Sequence, residues 1–132
     1  SEEMTVKPTK QQIEAFIAAP IEGPVHMVNL LKFVKTTDDG LKSGKESYKQ
    51  YSDAAIKMVQ STGGKLVWIG KPWTVLIGTE SDEWDLVAIV EYPSREAFLE
   101  MTSRPKYKEA AGDRTAAIER SALIPTKPGR ID

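Results

Sequence analysis

The chain has no cysteine and a single histidine, His26. Disulfides, thiolate nucleophiles and cysteine-ligated zinc or iron–sulfur sites are excluded on that ground alone. One histidine offers little to a transition metal, and the acidic pairs Asp38-Asp39 and Asp82-Glu83 lack the ordered donor spacing of a calcium loop, so no metal is expected. Long apolar runs are missing too. No stretch approaches the roughly 18 residues that span a bilayer, and the polar start SEEMTVKPTK has no apolar signal core. The expectation is a cytoplasmic protein with no membrane partner. Excess charge of one sign is also absent, with 18 Lys and Arg against 19 Asp and Glu. No global field therefore favours a nucleic acid. Gly63-Gly64 precedes a strand rather than opening a helix, so it is not a phosphate loop, and neither G-x-S-x-G nor H-E-x-x-H occurs.

What is present suits an ordinary globular chain: 132 residues, 40% hydrophobic and 28% charged. One domain over 1–132 is expected, with an accessory N-terminal helix and linker at 1–22, a core at 23–125 and a tail at 126–132.

The elements follow from periodicity and punctuation. Thr9 with Gln12 forms a capping-box pattern ahead of Ile13, Phe16 and Ile17, a short amphipathic helix that Pro20 ends. VHMVNLLKFV predicts an interior strand, with His26, Val28, Leu30 and Lys32 on one face and Met27, Asn29, Leu31 and Phe33 on the other. After a polar loop, Ser43 caps a helix striped by Tyr48, Tyr51, Ala55, Met58 and Val59, stopped at Gly63-Gly64. KLVWIG reads as a second strand, with a bulge or bend near Gly70-Lys71-Pro72 before TVLIG resumes extended structure to Gly78. DLVAIVEY, Asp85 to Tyr92, pairs back as a hairpin. Helical structure is predicted from about 94 to 119, interrupted near Ser103–Pro105, and Ser121–Pro125 makes a short last strand.

That order is β-α-β-β-α-β, an α+β ferredoxin-like sandwich preceded by one accessory helix. Both main helices must cover one sheet face, because each has an apolar stripe to bury. The second face has apolar residues and no internal cover. A two-fold partner is the simplest cover, giving a homodimer, and a folded-back N-terminal helix is the alternative.

Several polar and aromatic residues interrupt these elements. Asn29 breaks an apolar strand face and either orients a ligand oxygen or satisfies neighbouring backbone. His26 is the one side chain that ordinarily titrates near neutrality, weighed against a hydrogen bond at a sheet edge. Trp68 is the first choice for a pocket wall, while Trp73 and Trp84 flank the hairpin as core or interface packing. Glu91 and Tyr92 end an apolar strand. Arg95, Arg104, Tyr107 and Arg114 recur along the following helices, where a guanidinium clamps a carboxylate or, for Arg114, pairs with Glu91 or Asp85. The candidate catalytic set is His26, Glu91 and Arg114; the candidate ligand-binding set is Asn29, Trp68 and Tyr92.

VNLLKF, GGKLVWIG, YPSREAF, RPKYKEA and the RTAA run together resemble the DUF1330 family of the dimeric α+β barrel superfamily. The resemblance covers roughly Val25 to Pro125. It implies a homodimer whose sheets face each other in a barrel-like interior, and no established general activity. Wider branches include cofactor-free monooxygenases, isomerases, cyclases and heme-degrading enzymes. The leading expectation is a dimer binding a small organic acid or aromatic compound, acting as a cofactor-independent isomerase, cyclase or monooxygenase. The alternatives are a non-catalytic ligand-binding or stress-related accessory protein and a purely structural dimer. No cofactor is expected, since His26 alone does not define a heme ligand.

Overall fold

The computed structural model describes residues 6–131; the first five residues of the polar start and Asp132 of the tail lie outside them. The elements run α1 (Lys10–Ala18), β1 (Val25–Phe33), α2 (Gly44–Ser61), β2 (Lys65–Gly70), β3 (Leu86–Tyr92), α3 (Arg95–Ser103), α4 (Pro105–Ala117) and β4 (Ile118–Thr126). This is an α+β ferredoxin-like arrangement. The four strands form one antiparallel sheet in the order β2-β3-β1-β4.

Two parts of the expected architecture need correcting. The sheet is open and does not close into a barrel. Among the described residues β2 pairs only with β3 and β4 only with β1, so each end of the described sheet is a free edge. Four strands are also too few to wrap around a filled interior, which takes about eight. The helix count is four among the described residues, not the two of the simple motif. One addition is α1. The other arises because Arg104, extended at ψ 138, separates α3 from α4, and Pro105 begins the new helix where its missing N–H costs nothing.

TVLIG does not resume as a strand. Residues 71–79 form an irregular loop ending in a one-turn 3-10 helix, Glu80–Asp82, held by a capping box between Thr79 and Asp82. The irregularity in β2 falls earlier than expected, between Leu66 and Trp68. Asp85 stops short of β3, and its carboxylate accepts a 2.8 Å hydrogen bond from the Phe33 N–H. β4 is longer than the expected strand, because α4 passes into it without a loop at Ile118.

The helix starts follow the local chemistry. Thr9 accepts from the Gln12 N–H while Gln12 reaches back to Thr9, and the Ser43 hydroxyl accepts from the Glu46 N–H. Gly44 lets α2 begin hard against the backbone: a Cβ there would stand 2.2 Å from the Val34 carbonyl oxygen. At the other end, Gly63 takes φ +88, the left-handed turn that releases the chain into β2.

The core lies between the sheet and the helices. Val25, Met27, Met58, Val59, Tyr92 and Met101 form one cluster, and Leu31, Ala117 and Ile118 a second. Helix α1 joins through Phe16, whose ring meets Phe98 edge-on at 5.8 Å. The Arg95 guanidinium fixes the end of α1 by donating to the carbonyls of Phe16, Ala19 and Ile21. The helix therefore sits on α3 and leaves the second sheet face uncovered.

Candidate functional site

Strand alternation divides the candidates between the two faces. Val25, Met27 and Leu31 of β1 belong to the helix-side core, as do Leu86, Val90 and Tyr92 of β3. The opposite set faces away from the helices. The register sets His26, Val28 and Leu30 beside Glu91, Ile89 and Val87, and places Trp68 of β2 opposite Ile89. On the other flank Ala122, Ile124 and Thr126 of β4 oppose Leu30, Val28 and His26. The centre of this open face is apolar: Val28, Leu30, Val87, Ile89, Trp68, Ala122 and Ile124.

A polar row closes one end. Lys65, Glu91, His26 and Thr126 lie side by side across the four strands. His26 Nε2 stands 3.0 Å from Glu91 Oε1, with the two side chains 21% and 28% exposed. The Thr126 hydroxyl donates to the His26 carbonyl at 2.8 Å. His26 Nδ1 is buried and has no hydrogen-bond partner among the described residues, an arrangement that ordinarily costs about 1–3 kcal/mol. In the neutral form of the ring, an Nε2–H directed at the carboxylate leaves the lone pair on Nδ1.

At the other end Lys32 faces Arg120. The Arg120 guanidinium donates to the carbonyls of Glu80, Ser81 and Glu83 and stacks 4.1 Å over the Trp84 ring. It thereby pins the base of the 71–85 loop to the edge strand farthest from β2. No local pattern around Arg120 pointed to this role, because it depends on a strand order that puts residue 120 next to residue 32.

The remaining candidates do not converge with these. Asn29 lies on the helix side, where its amide donates to the carbonyls of Met27 and Ala88 at 3.3 and 3.4 Å. Arg114, on α4, donates to the Val6 carbonyl at 3.1 Å instead of pairing with Glu91 or Asp85. Tyr92 is buried edge-on against Phe98 at 5.1 Å, and burial raises its hydroxyl pKa. Asn29, Trp68 and Arg114 therefore do not share a pocket. Arg104 pairs with Glu100 four residues earlier at 2.7 Å, and Arg95 is occupied by α1.

Tyr107 meets Tyr51 hydroxyl to hydroxyl at 2.8 Å, within a chain of rings from Phe33 through Tyr48 and Tyr51. Burial pushes the Tyr48 hydroxyl up to about 12, with Arg114 opposing the shift, and it also raises the Tyr51 hydroxyl well above its ordinary value. These are packing tyrosines held neutral. A recess of about 400 Å³ at the far end of β1 is lined by Lys32, Phe33, Val34, Lys35, Ser43, Lys45 and Asp85. No group of three or more His, Asp or Glu is gathered as a metal set among the described residues. No helix among them is long and apolar enough to cross a membrane.

An open antiparallel sheet with helices on one side and an apolar second face defines a ferredoxin-like α+β protein. A dabb-family protein of that fold from Mesorhizobium loti is similar at a TM-score of 0.54 with 14% identity, covering 82% of this chain and 99% of that one. At that distance the likeness concerns the fold alone. Residues 43–126 match the model of DUF1330, a domain of unknown function. The protein RPA0582 of Rhodopseudomonas palustris, of unknown function, is 40% identical over 96% of this chain and 98% of its own, with a TM-score of 0.88. Its methylated form gives 41% identity over 95% of each chain and the same TM-score. The chain belongs to the DUF1330 family. A search of curated proteins finds no match.

Proposed function

We propose that this protein works by pairing with a second copy of itself through the open sheet face, as a structural or ligand-holding accessory protein rather than as an enzyme. The observation that carries this reading is the apolar row on the side without helices, where Trp68 and Ile124 are 53% and 46% exposed. Monomers rarely expose contiguous apolar patches beyond a few hundred Å², and two-fold pairing is the commonest way for a small chain to cover one. The polar rows at each end, Lys65-Glu91-His26-Thr126 and Lys32-Arg120, would form the hydrated rim that such interfaces keep. Sedimentation velocity tests it. A two-copy mass is expected for the native chain and a one-copy mass for Ile124→Glu. A native chain that sediments as one copy at about 100 μM, where even weak specific pairs associate, overturns the reading.

A second reading rests on the 3.0 Å His26–Glu91 contact, an imidazole–carboxylate pair of the type that serves acid–base chemistry. Here it acts alone, since Asn29 and Arg114 lie on the helix side. A cofactor-free isomerase or cyclase must loosen a C–H bond beside a carbonyl. The probe is therefore deuterium uptake from D₂O into a simple 1,3-dicarbonyl, followed by NMR. Uptake that is accelerated by the native chain and lost in both His26→Gln and Glu91→Gln is expected on this reading; equal uptake in all three excludes it.

A further inference from the structure

Between β2 and β3 the chain takes fifteen residues, 71–85, to join strands that lie side by side. A two-residue turn would suffice for a hairpin. The base of the detour is held fast, by the three Arg120 hydrogen bonds, by Trp84 beneath that guanidinium and by the Thr79–Asp82 capping box. Its outer part is the most exposed apolar segment beside the sheet: Trp73, Leu76 and Ile77 are 93%, 91% and 93% exposed. Three large apolar side chains within five residues, on a tethered loop, are placed where they touch almost nothing of their own chain.

We infer that this arm, residues 72–77, docks on a second copy of the chain and clasps the pair formed through the open face. The inference rests on that pairing and extends it. The arm leaves directly from the end of β2, two residues beyond Gly70, whose face is covered by the Trp68 ring, so it is continuous with the apolar row. Area points the same way. Burying Trp73, Leu76 and Ile77 removes roughly 400 Å² per arm. Two-fold symmetry uses each arm once, so two arms supply on the order of 800 Å² of the roughly 1,600 Å² in a standard interface. The sheet face has to supply only the remainder. A lipid surface is the poorer occupant, because Glu80, Asp82 and Glu83 follow the arm closely and would meet an anionic bilayer with like charge.

The test is a dilution series by sedimentation velocity on the full chain. It compares the native protein, an arm variant carrying Trp73→Ser, Leu76→Ser and Ile77→Ser, and the face variant Ile124→Glu. Circular dichroism checks that each remains folded. The arm substitutions lie on nearly fully exposed positions and should leave the secondary structure intact. The expected result is a dimer whose dissociation constant rises at least about tenfold in the arm variant, as loss of an interface tryptophan ordinarily gives. An unchanged constant in the arm variant, with dissociation in the face variant, overturns the clasp and leaves the face pairing standing. Dissociation of the arm variant alone, with the face variant still paired, shows that the copies meet through the arm and overturns both the face pairing and the clasp built on it. A native chain that stays single but pellets with phosphatidylcholine–phosphatidylserine vesicles, losing that in the arm variant, overturns both in favour of a lipid surface.

Discussion

The two faces of β1 are built from similar residues and meet different fates. On one side Val25, Met27 and Leu31 are at most 8% exposed beneath the helices. On the other, Val28 and Leu30 remain partly open beside His26 and Lys32. Hydrophobicity alone did not divide them. The division comes from the helices, whose apolar stripes can cover only one side of a four-stranded sheet, and from Arg95, which holds α1 against α3 instead of across the open face. An apolar strand face is thus a statement about burial somewhere, in this chain or in a neighbour.

The comparison can be broken most sharply at adjacent leucines. Leu31 has no exposure and packs with Ala117 and Ile118, so Leu31→Ala should lose about 3 kcal/mol of stability through lost transfer energy and a cavity. Leu30→Ala, one residue away on the open face, should cost less than about 1 kcal/mol in dilute protein. Its cost should grow with protein concentration if that face is shared between copies. Urea denaturation of both variants at two concentrations separates these effects. Equal, concentration-independent losses would mean that the faces are energetically equivalent.

A slightly smaller effect is expected at Gly44, on the covered side. An alanine Cβ would meet the Val34 carbonyl oxygen at 2.2 Å and the Ala117 carbonyl oxygen at 2.9 Å. Backbone that also carries the Val34 N–H to Ala117 carbonyl hydrogen bond cannot retreat easily. Gly44→Ala should therefore cost about 2–3 kcal/mol by overpacking and lower the melting temperature. A melting temperature equal to that of the native chain would show that the start of α2 can shift.

Much of this fold was legible because its signals are local. The capping pairs Thr9-Gln12 and Ser43-Glu46, the Gly63 stop and the Pro105 break each act within a few residues, and each appears where the pattern put it. The β-branched run in TVLIG misled because apolar content marks a need for burial and not a conformation, and Trp73, Leu76 and Ile77 find no burial among the described residues. The barrel failed for a different reason. It was carried by resemblance, whereas closure depends on which strands pair, and among the described residues both edges stay free. The candidate site was legible only in pieces. Alternation placed His26 and Asn29 on opposite faces, but which face the helices would cover was a tertiary fact. The ligand-binding set Asn29, Trp68 and Tyr92 needed that fact, and the structure divides it, with Asn29 and Tyr92 on the helix side and Trp68 on the open face. The His26–Glu91 pair needed the β1–β3 register, which no local pattern encodes.

The covered side should also respond to alkali, through its buried tyrosines. Burial raises the hydroxyls of Tyr48, Tyr51 and Tyr92 above the ordinary value near 10. The unfolded chain releases those protons first as pH rises. Stability contributed by the neutral tyrosines is therefore complete below about pH 10 and declines above it, for Tyr48 mainly between about 10 and about 12. Each such tyrosine contributes at most roughly 1.4 kcal/mol per pH unit in that window. Urea denaturation from pH 8 to 12 should show a flat region and then a fall, and Tyr48→Phe should make the fall shallower. A fall of the same slope in Tyr48→Phe would remove that residue from the account.

The smallest expected effect sharpens the comparison most finely. Gly70 on the open face presents the same 2.2 Å approach for a new Cβ as Gly44, yet the atom it meets is the far end of the Trp68 ring. A ring tip can rotate away where a carbonyl cannot, and that ring is 53% exposed with room to move. Gly70→Ala should therefore change stability by less than about 1 kcal/mol, part of any strain being offset by the lower backbone entropy of alanine in the unfolded chain. Its signature should instead be a shifted fluorescence emission, read against Trp68→Phe to isolate that ring, together with altered self-association if Trp68 lies between two copies. A loss as large as that of Gly44→Ala would mean that Trp68 is clamped as firmly as the core, and the open face would then be a rigid, finished surface before any partner arrives.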